Sequence, residues 1–171
     1  MIGRTVNFDG DQAERIEACL EKLLASTKGV AALFADSSGQ PIGQTGTLAD
    51  KDKVALATLA AGSLAATVAM AKLLGQEGAF EQVFYEGSKQ SVHSSAVGDG
   101  FLLAVAFDSR AKPGLVRIMA QQAAQELQAI VHEAAENALD ESVRDLIDRE
   151  FGDSLADELD ATFPEGGSGS R

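Results

Sequence analysis

The side chains that most often do chemistry are few in this chain of 171 residues. There are two histidines, His93 in a polar segment and His132 in a long helical one, and one cysteine, Cys19. Neither histidine has the cysteine or carboxylate spacing of a metal site, and one cysteine supports neither an internal disulfide nor a thiolate cluster. Cys19 lies in an amphipathic stretch and is interpreted as a core residue. The sequence therefore predicts no metal site and no bound cofactor.

Motifs for phosphate binding and nucleophilic catalysis are also missing. The G-S-K at 87–89 is interpreted as a hairpin turn, because no P-loop pattern surrounds it. The G-D-G at 98–100 lies between two predicted strands, whereas a dinucleotide loop precedes a helix. No G-x-S-x-G elbow accompanies the serines at 88–95. We expect no catalytic residues and no active site belonging to this chain.

Composition narrows the classes of partner. The formal net charge of −12 disfavours nucleic acid and anionic membrane surfaces, and one Tyr without any Trp gives no aromatic platform for bases. The opening MIGRTVNFDGDQ contains no apolar run of the kind found in a signal peptide. With its one cysteine, the chain is expected in the reducing cytoplasm.

An uncharged run covers residues 54–71, VALATLAAGSLAATVAMA. It reaches the lower length of a membrane span, but Leu, Ile and Phe, which favour insertion most, are sparse. Alanine has the highest helix propensity, so we expect a water-stable helix at about 50–74 that ends at Gly75 and does not cross a membrane. A helix without a polar face must be covered on more than one side.

The two sides of this helix differ in side-chain size. One side is predicted to face the core, and it collects Leu56, Leu59, Ser63, Leu64, Thr67, Met70 and Leu74. The other side carries small residues that let a second backbone come close: Thr58, Ala61, Gly62, Ala65 and Ala69. This small side either presses on the protein's own sheet or meets a partner. We favour the partner, because a flat apolar face is costly to leave in water.

The remaining pattern predicts an α+β domain of order α-β-β-α-β-β-β-α. Helices are predicted at 11–26, 50–74 and 115–137, and strands at 30–35, 40–44, 80–85, 89–97 and 101–107. Pro41 indicates an edge strand, and the most apolar strand, 101–107, is expected at the centre. The strand at 89–97 is polar and alternating, so one of its faces is expected to be wet. The result is a five-stranded antiparallel sheet with flanking helices.

A separate tail is predicted after residue 140, which divides the chain into a domain (1–140), an acidic amphipathic helix (141–163) and a flexible linker or cloning remnant (164–171). Residues 141–163 hold eight acidic and two basic residues, and their apolar residues recur in steps of three and four. This helix either folds back on the domain or docks in a partner's groove. In the second case its anchors are Leu146, Ile147, Phe151 and Leu155.

Six short motifs follow one another along the chain. They are D-S-S-G-Q at 36–40, L-A-T-L-A-A-G-S-L-A-A at 56–66, A-K-L-L-G at 71–75, F-Y-E-G-S-K at 84–89, F-D-S-R at 107–110 and G-L-V-R-I at 114–118. In this order and spacing the chain resembles the roadblock/LC7 domain over about 29–126. It resembles in particular the MglB-type bacterial GTPase-activating proteins.

The resemblance implies a dimer and a GTPase partner. Roadblock domains form homodimers or heterodimers by pairing the alanine-rich helix and an edge strand into a continuous sheet. MglB-like dimers bind one MglA-type Ras-like GTPase and fix its own switch residues without inserting a catalytic arginine. The implied dimer and GTPase contacts on this chain are Thr58, Ala61, Gly62, Ala65 and Ala69, with Arg110 and Arg117 as further polar contacts. The alternative interpretation is that Arg110 is a charged residue of a surface loop and that Arg117 is a solvated residue near a helix end.

Three functions stay open from the sequence. The first is a homodimeric regulator that stimulates GTP hydrolysis by an MglA-type GTPase in cell polarity or motility signalling. The second is a roadblock scaffold that binds a GTPase or a motor complex without activating hydrolysis. The third is a ligand-sensing module that uses a pocket of the sheet. For the first function we expect a cytoplasmic protein, with recruitment to a cell pole as one option.

Overall fold

The computed structural model describes residues 6–76 and 80–162, with side chains as far as residue 140. One compact unit comprises Phe8–His132, and residues from Glu133 onward belong to another. The elements are α1 Gly10–Thr27, β1 Ala31–Asp36, β2 Pro41–Gly46, α2 Asp50–Leu73, β3 Gln82–Tyr85, β4 Gln90–Val97, β5 Phe101–Asp108 and α3 Pro113–Thr162. The predicted element order and fold class are confirmed.

The five strands form one antiparallel sheet in the order β2-β1-β5-β4-β3. The apolar strand β5 is central, as its composition predicts, because both of its faces are covered. Pro41 begins β2 at one edge of the sheet, where a residue without an N–H group is tolerated. The short strand β3 forms the other edge.

α1 begins with a capping box. The Asp9 carboxylate accepts a hydrogen bond of 2.8 Å from the Gln12 backbone N–H, and the Gln12 side chain accepts one of 3.1 Å from the Asp9 N–H. These two bonds satisfy backbone donors that have no acceptor within the helix. They fix the start of α1, and the helix then buries its apolar stripe on the sheet.

Alternation along the strands gives the sheet two different layers. α1 and α3 cover one face with large side chains, which include Ile16, Leu20, Leu23, Phe34, Leu103, Val105, Phe107, Val116, Leu127 and Ile130. α2 covers the other face in a smaller cluster of Leu33, Ala35, Ala57, Ala60, Ala61, Leu102 and Ala104. The fold is therefore an α/β/α sandwich whose two outer layers have different packing chemistry.

The predicted faces of α2 are partly wrong. Leu59, Met70 and Leu74, which were expected in the core, are exposed. Ala61, which was expected on the outward side, is 6% exposed and packs on the sheet. The sheet beneath α2 presents alanines, so a helix that contacts it through its own alanines lies close to it. Because the whole helix is apolar, packing fit and not hydrophobicity decides which side faces inward.

The prediction that one face of β4 is exposed to solvent is wrong in the middle of the strand. Three consecutive polar residues, His93, Ser94 and Ser95, are buried. Adjacent strand residues point to opposite faces, so burial of all three means that both faces are covered. The helical layers on the two sides of the sheet provide this cover, and strand polarity alone did not predict it.

The D-S-S-G-Q motif forms the predicted turn between β1 and β2. The Asp36 carboxylate accepts a hydrogen bond of 2.6 Å from the Ser38 hydroxyl and bonds of 2.9 Å from the N–H groups of both Ser38 and Gln40. Burial acts to raise the pKa of Asp36, but these bonds, the hydroxyl bond first, hold it below the ordinary value of 3.8. Gly39 has a φ of +87°, and a Cβ there would lie 2.5 Å from the Cα of Thr58. The turn thus needs glycine both for its backbone angle and for its close approach to α2.

α3 is one helix of 50 residues, so the predicted helix end near 137 is wrong. Residues 138–140 (A-L-D) contain neither Gly nor Pro and do not stop a helix. Gly152 lies within the helix, where a glycine costs about 1 kcal/mol relative to alanine. The division into 1–140, 141–163 and 164–171 stays a prediction, and residues 163–171 lie outside the described residues.

Candidate functional site: an uncovered apolar helix face beside an open sheet edge

The side of α2 that faces away from the sheet is apolar and exposed. We call it the outer face, and its members include Val54, Thr58, Leu59, Gly62, Ala65, Ala66, Ala69, Met70 and Leu73. Leu59 is 71% exposed and Leu73 is 87% exposed. Of the most apolar eighteen-residue window of α2, 28% is buried. Contiguous exposed apolar surface of this kind marks a contact with another molecule.

The open edge of the sheet adjoins this helix. Within the described chain β3 pairs with β4 on one side and has no strand on its other side. The hydroxyl groups of Ser63 in α2 and Tyr85 in β3 are hydrogen-bonded to each other. This bond shows which side of α2 lies towards β3. Leu59 and Met70, one and two turns from Ser63, lie on that same side.

Most of the small residues predicted on α2 share one exposed surface. Thr58, Gly62, Ala65 and Ala69 are all exposed, and a Cβ added at Gly62 would meet nothing within 4 Å. Ala61 departs from this set because it is buried on the sheet. The structure therefore brings together four of the five predicted small residues, and their roles in binding stay predictions.

Arg110 is exposed in the loop after β5 and is tied to a neighbouring carboxylate. Its Nε lies 3.0 Å from both Asp108 oxygens, and one terminal nitrogen lies 2.8 Å from Oδ2. Hydrogen bonding to Arg110 lowers the pKa of Asp108, and the same contact raises the pKa of Arg110. The guanidinium is thus held in a two-pronged contact within its own loop.

Arg117 lies on the opposite face of the sheet from α2. It lines a cleft of about 450 Å³ between the edge of the sheet and the start of α3, which we call the β3–α3 cleft. The other lining residues are Gln82, Phe84, His93, Pro113 and Gly114. Arg117 and the outer face of α2 therefore lie on opposite faces of the sheet, and the role of Arg117 in a dimer or GTPase contact stays a prediction.

The tail anchors Leu146, Ile147, Phe151 and Leu155 all lie within the helical backbone of α3. Their side chains are outside the described part of the structure, so their proposed docking role stays a prediction. Within the described residues, no group of three or more His, Cys, Asp and Glu side chains is placed to hold a metal ion.

Sequence reasoning missed two sets of residues. The first set consists of Leu59, Met70 and Leu73 on the outer face. Because α2 is apolar on every side, its sequence does not indicate that these residues are exposed. The second is the lining of the β3–α3 cleft, where Gln82 and His93 come from different strands and Arg117 from a helix. A histidine in a polar strand was visible in the sequence, but its burial depends on the layers above and below it.

Comparison with known proteins identifies the fold family. The Roadblock/LC7 domain model matches residues 16–107, which is more than half of the chain. This chain belongs to the roadblock/LC7 family. The matched region begins within α1 and ends at the close of β5, so it contains the whole sheet, α2 and the open edge.

Solved structures of MglB proteins are similar to this roadblock chain over most of its length. An MglB with a tetrameric arrangement is 32% identical with a TM-score of 0.72, covering 78% of this chain and 99% of that one. Myxococcus xanthus MglB is 32% identical with a TM-score of 0.69, covering 75% and 96%. The gliding protein MglB of Thermus thermophilus is 30% identical with a TM-score of 0.71, covering 77% and 99%. Comparison with curated protein sequences found no match.

By length and composition, α2 is also apolar enough to cross a membrane, and it is one such helix among the described residues. This is a weak indication, since core helices of water-soluble proteins pass the same test. In the roadblock fold α2 packs on the sheet through its alanines, so one of its sides is already occupied by protein.

Proposed function

We propose that this roadblock protein is a homodimer that binds an MglA-type small Ras-like GTPase and stimulates its GTP hydrolysis. The observation that supports it most is the apolar outer face of α2 beside the open edge of β3, in a chain about one-third identical to MglB proteins. Such a face is unfavourable in water and needs a partner. The proposed setting is cell polarity or motility signalling in the cytoplasm, with recruitment to a cell pole.

The dimer contact is assigned to the side of α2 nearest the open edge. A second copy placed by a two-fold axis brings its own β3 to this edge, so that the two sheets join through backbone hydrogen bonds. Leu59 and Met70 lie on the side of α2 that Ser63 and Tyr85 mark as facing β3. They are proposed to pack against the same residues of the second copy, where their apolar surface leaves water.

The GTPase contact is assigned to the small residues of the outer face. Thr58, Gly62, Ala65 and Ala69 leave a flat surface, because they have little or no side chain beyond Cβ. Two such surfaces side by side in a dimer offer one GTPase an apolar platform. Ala61 is excluded from this platform because it packs on the sheet.

Stimulation is proposed to act through the GTPase's own switch residues. An inserted arginine is worth about a thousandfold or more in hydrolysis rate, but it must be free to reach the nucleotide. Arg110 is held by Asp108, and Arg117 lies on the other face of the sheet. We expect Arg110→Ala and Arg117→Ala to keep most of the maximal stimulation at saturating protein. A variant that binds normally and loses nearly all stimulation would contradict this mechanism.

The central experiment measures GTP hydrolysis by the cognate MglA-type GTPase with and without this protein. Two variants separate the two contacts: Met70→Arg at the dimer side and Ala65→Arg on the small-residue platform. Met70→Arg should give a folded monomer in light scattering, and Ala65→Arg a dimer that no longer binds the GTPase. Stimulation by the wild type supports an activator. Tight binding without stimulation would instead assign the scaffold function, and absence of binding would exclude both.

The tail is proposed to dock on a partner through Leu146, Ile147, Phe151 and Leu155. Its eight acidic residues against two basic ones favour a groove with a basic rim. Truncation after Asp140 should leave the dimer intact and change GTPase affinity or nucleotide exchange more than maximal hydrolysis. Unchanged affinity and exchange after truncation would show that the tail does not dock.

A further inference from the structure

The β3–α3 cleft is a concave feature of the Phe8–His132 unit, on the face of the sheet opposite to α2. Its lining residues include the cation Arg117 and no acidic side chain, in a chain whose formal net charge is −12. No carboxylate of the described residues is within ion-pair distance of Arg117. A cationic side chain that faces an open cleft without a counter-charge is available to an anion.

His93 supplies the observation that points to a ligand. It is 3% exposed, lines the cleft, and its Nε2 is buried without a hydrogen-bond partner among the described residues. Buried polar atoms are almost always paired, and leaving one unpaired costs about 1–3 kcal/mol. Because the imidazole lines the cleft, an acceptor atom that reaches Nε2 from there would satisfy the N–H group of one tautomer.

The first turn of α3 adds backbone donors to the same cleft. Val116 makes the first backbone bond of the helical pattern, to the Lys112 carbonyl at 3.0 Å, so the Gly114 N–H group precedes the hydrogen-bonded ladder. A Cβ built on Gly114 would meet nothing within 4 Å, which means that space is open beside its backbone. The start of a long helix also carries a partial positive charge.

The other walls of the cleft suit an apolar body. Phe84 is 45% exposed, and its ring packs against Phe107 with the centroids 5.9 Å apart, so it is supported from behind. The Gln82 side chain adds an amide that either donates or accepts a hydrogen bond. The volume of the cleft lies within the range of small-molecule sites.

We propose that the β3–α3 cleft binds a small molecule with an oxyanion group, a carboxylate or a phosphate, attached to an apolar or aromatic body. Arg117, the Nε2–H group of His93 and the first-turn N–H groups of α3 contact the oxyanion, and Phe84 contacts the body. This site goes beyond the proposed GTPase contact, which lies on the other face of the sheet. Its test requires no GTPase, so either proposal can fail without the other.

The electrostatics of His93 agree with this geometry. Burial, followed by the charge of Arg117, lowers the pKa of His93 below its ordinary value of 6.5. The imidazole is therefore neutral at pH 7 and carries one N–H donor. An anion between the two side chains would offset the effect of the Arg117 charge on His93.

The test is a titration of the full chain, followed by backbone amide NMR, with phenyl phosphate, benzoate and inorganic phosphate as probes. Benzyl alcohol is the uncharged control. We expect saturable shifts at Gln82, His93 and Gly114 with phenyl phosphate or benzoate, and the stronger of the two identifies the oxyanion class. Inorganic phosphate, which lacks the aromatic body, should bind more weakly at the same amides.

Matched variants decide whether these side chains form the site. Arg117→Gln should weaken binding about tenfold or more, since hydrogen bonds to charged groups are worth about 1.5–3 kcal/mol. Arg117→Lys, which keeps the charge, should weaken it less, and His93→Phe should also weaken it. Arg110→Gln removes the same charge from a loop outside the cleft and should leave binding unchanged. The proposal is overturned if no anion saturates these amides, if benzyl alcohol binds equally well, or if Arg110→Gln and Arg117→Gln weaken binding alike.

Discussion

The two helical layers cover the two faces of the same sheet with side chains of different size. α1 and α3 bury large residues such as Leu20 and Leu127 against Phe34 and Phe107 of the strands. α2 contacts its face through alanines and leaves larger residues such as Leu59 exposed. Because stabilisation grows with the apolar area removed from water, the α1/α3 layer contributes most of the stability of the folded chain. The α2 layer leaves larger apolar side chains exposed, where the proposed partner would cover them.

This difference gives the two layers separate tasks. A layer packed by large interlocking side chains tolerates little change, whereas an exposed apolar face changes without disturbing the core. The proposed binding residues are therefore positioned on a helix whose inner side is fixed by close contact with the sheet. We therefore expect substitutions in the α1/α3 layer to lower mainly the stability of the fold. Substitutions on the outer face of α2 should weaken mainly association.

The largest effect is expected from truncating the α1/α3 core. Leu20 is fully buried, so Leu20→Ala should lower the free energy of unfolding by about 2–5 kcal/mol. Leu59→Ala removes the same atoms from the outer face of α2. In the Met70→Arg variant, which is expected to be monomeric, it should change the free energy of unfolding by less than about 0.5 kcal/mol. Urea unfolding followed by circular dichroism measures both. Equal losses would contradict the proposed division between the layers.

The second effect tests how closely α2 approaches the rest of the fold. Gly39→Ala should cost about 1–3 kcal/mol, since it combines a positive φ with a Cβ 2.5 Å from the Thr58 Cα. Gly100→Ala is the matched control, because it has a φ of +102° and nothing within 4 Å of the added Cβ. The difference in thermal unfolding between the two variants isolates the contact with α2. If they lose the same stability, the turn does not press on the helix.

The sequence predicted the element order, the antiparallel sheet, the central β5 and the edge position of Pro41. Those features depend on local signals: apolar runs, turn residues and a missing N–H group. The same local reasoning placed a helix end near 137, where no residue stops a helix. Local signals thus carried most of the fold of the Phe8–His132 unit.

The site was less predictable, because the packing of the helices on the sheet decides which of its residues are buried and which are exposed. Hydrophobicity does not distinguish Ala61 from Ala65, but one lies on the sheet and the other is exposed. Likewise the sequence did not indicate that Arg117 lies on the α3 side of the sheet, away from α2. Neither feature is visible locally, because a helix's rotation and the face that it covers depend on distant strand residues.

A smaller effect is expected in the pH dependence of stability, through His93 on the α1/α3 side of the sheet. The pKa of His93 is lowered by burial and by Arg117, so the unfolded chain binds its proton more readily than the folded chain does. The stabilising contribution of neutral His93 is present above pH 6.5 and is lost as pH falls below that value. Stability from pH 7 to 5 should fall less steeply in His93→Gln, by at most about 1.4 kcal/mol per pH unit. Identical slopes would show that His93 is free to ionise in the folded chain.

The smallest effect is expected from the ion pair that links α1 and α3 at the surface. The Lys22 Nζ lies 3.3 Å from the Glu126 Oε2, and both side chains are largely exposed. Exposed pairs of this kind contribute about 0.2–1 kcal/mol and weaken as salt rises. A double-mutant cycle with Lys22→Met and Glu126→Gln should therefore give a coupling energy within that range. A coupling energy above about 2 kcal/mol would mean that this surface charge pair contributes more to the contact between α1 and α3 than exposed pairs do.

The thiol of Cys19 lies beneath this pair. Burial and the Glu126 charge raise the pKa of the Cys19 thiol to about 11, so thiol labelling at pH 8 should be slow in the folded chain. The Lys22 charge lowers this pKa, so Lys22→Met should not make labelling faster. Fast labelling in that variant would mean that the surface charge, and not burial in the α1/α3 layer, protects the thiol.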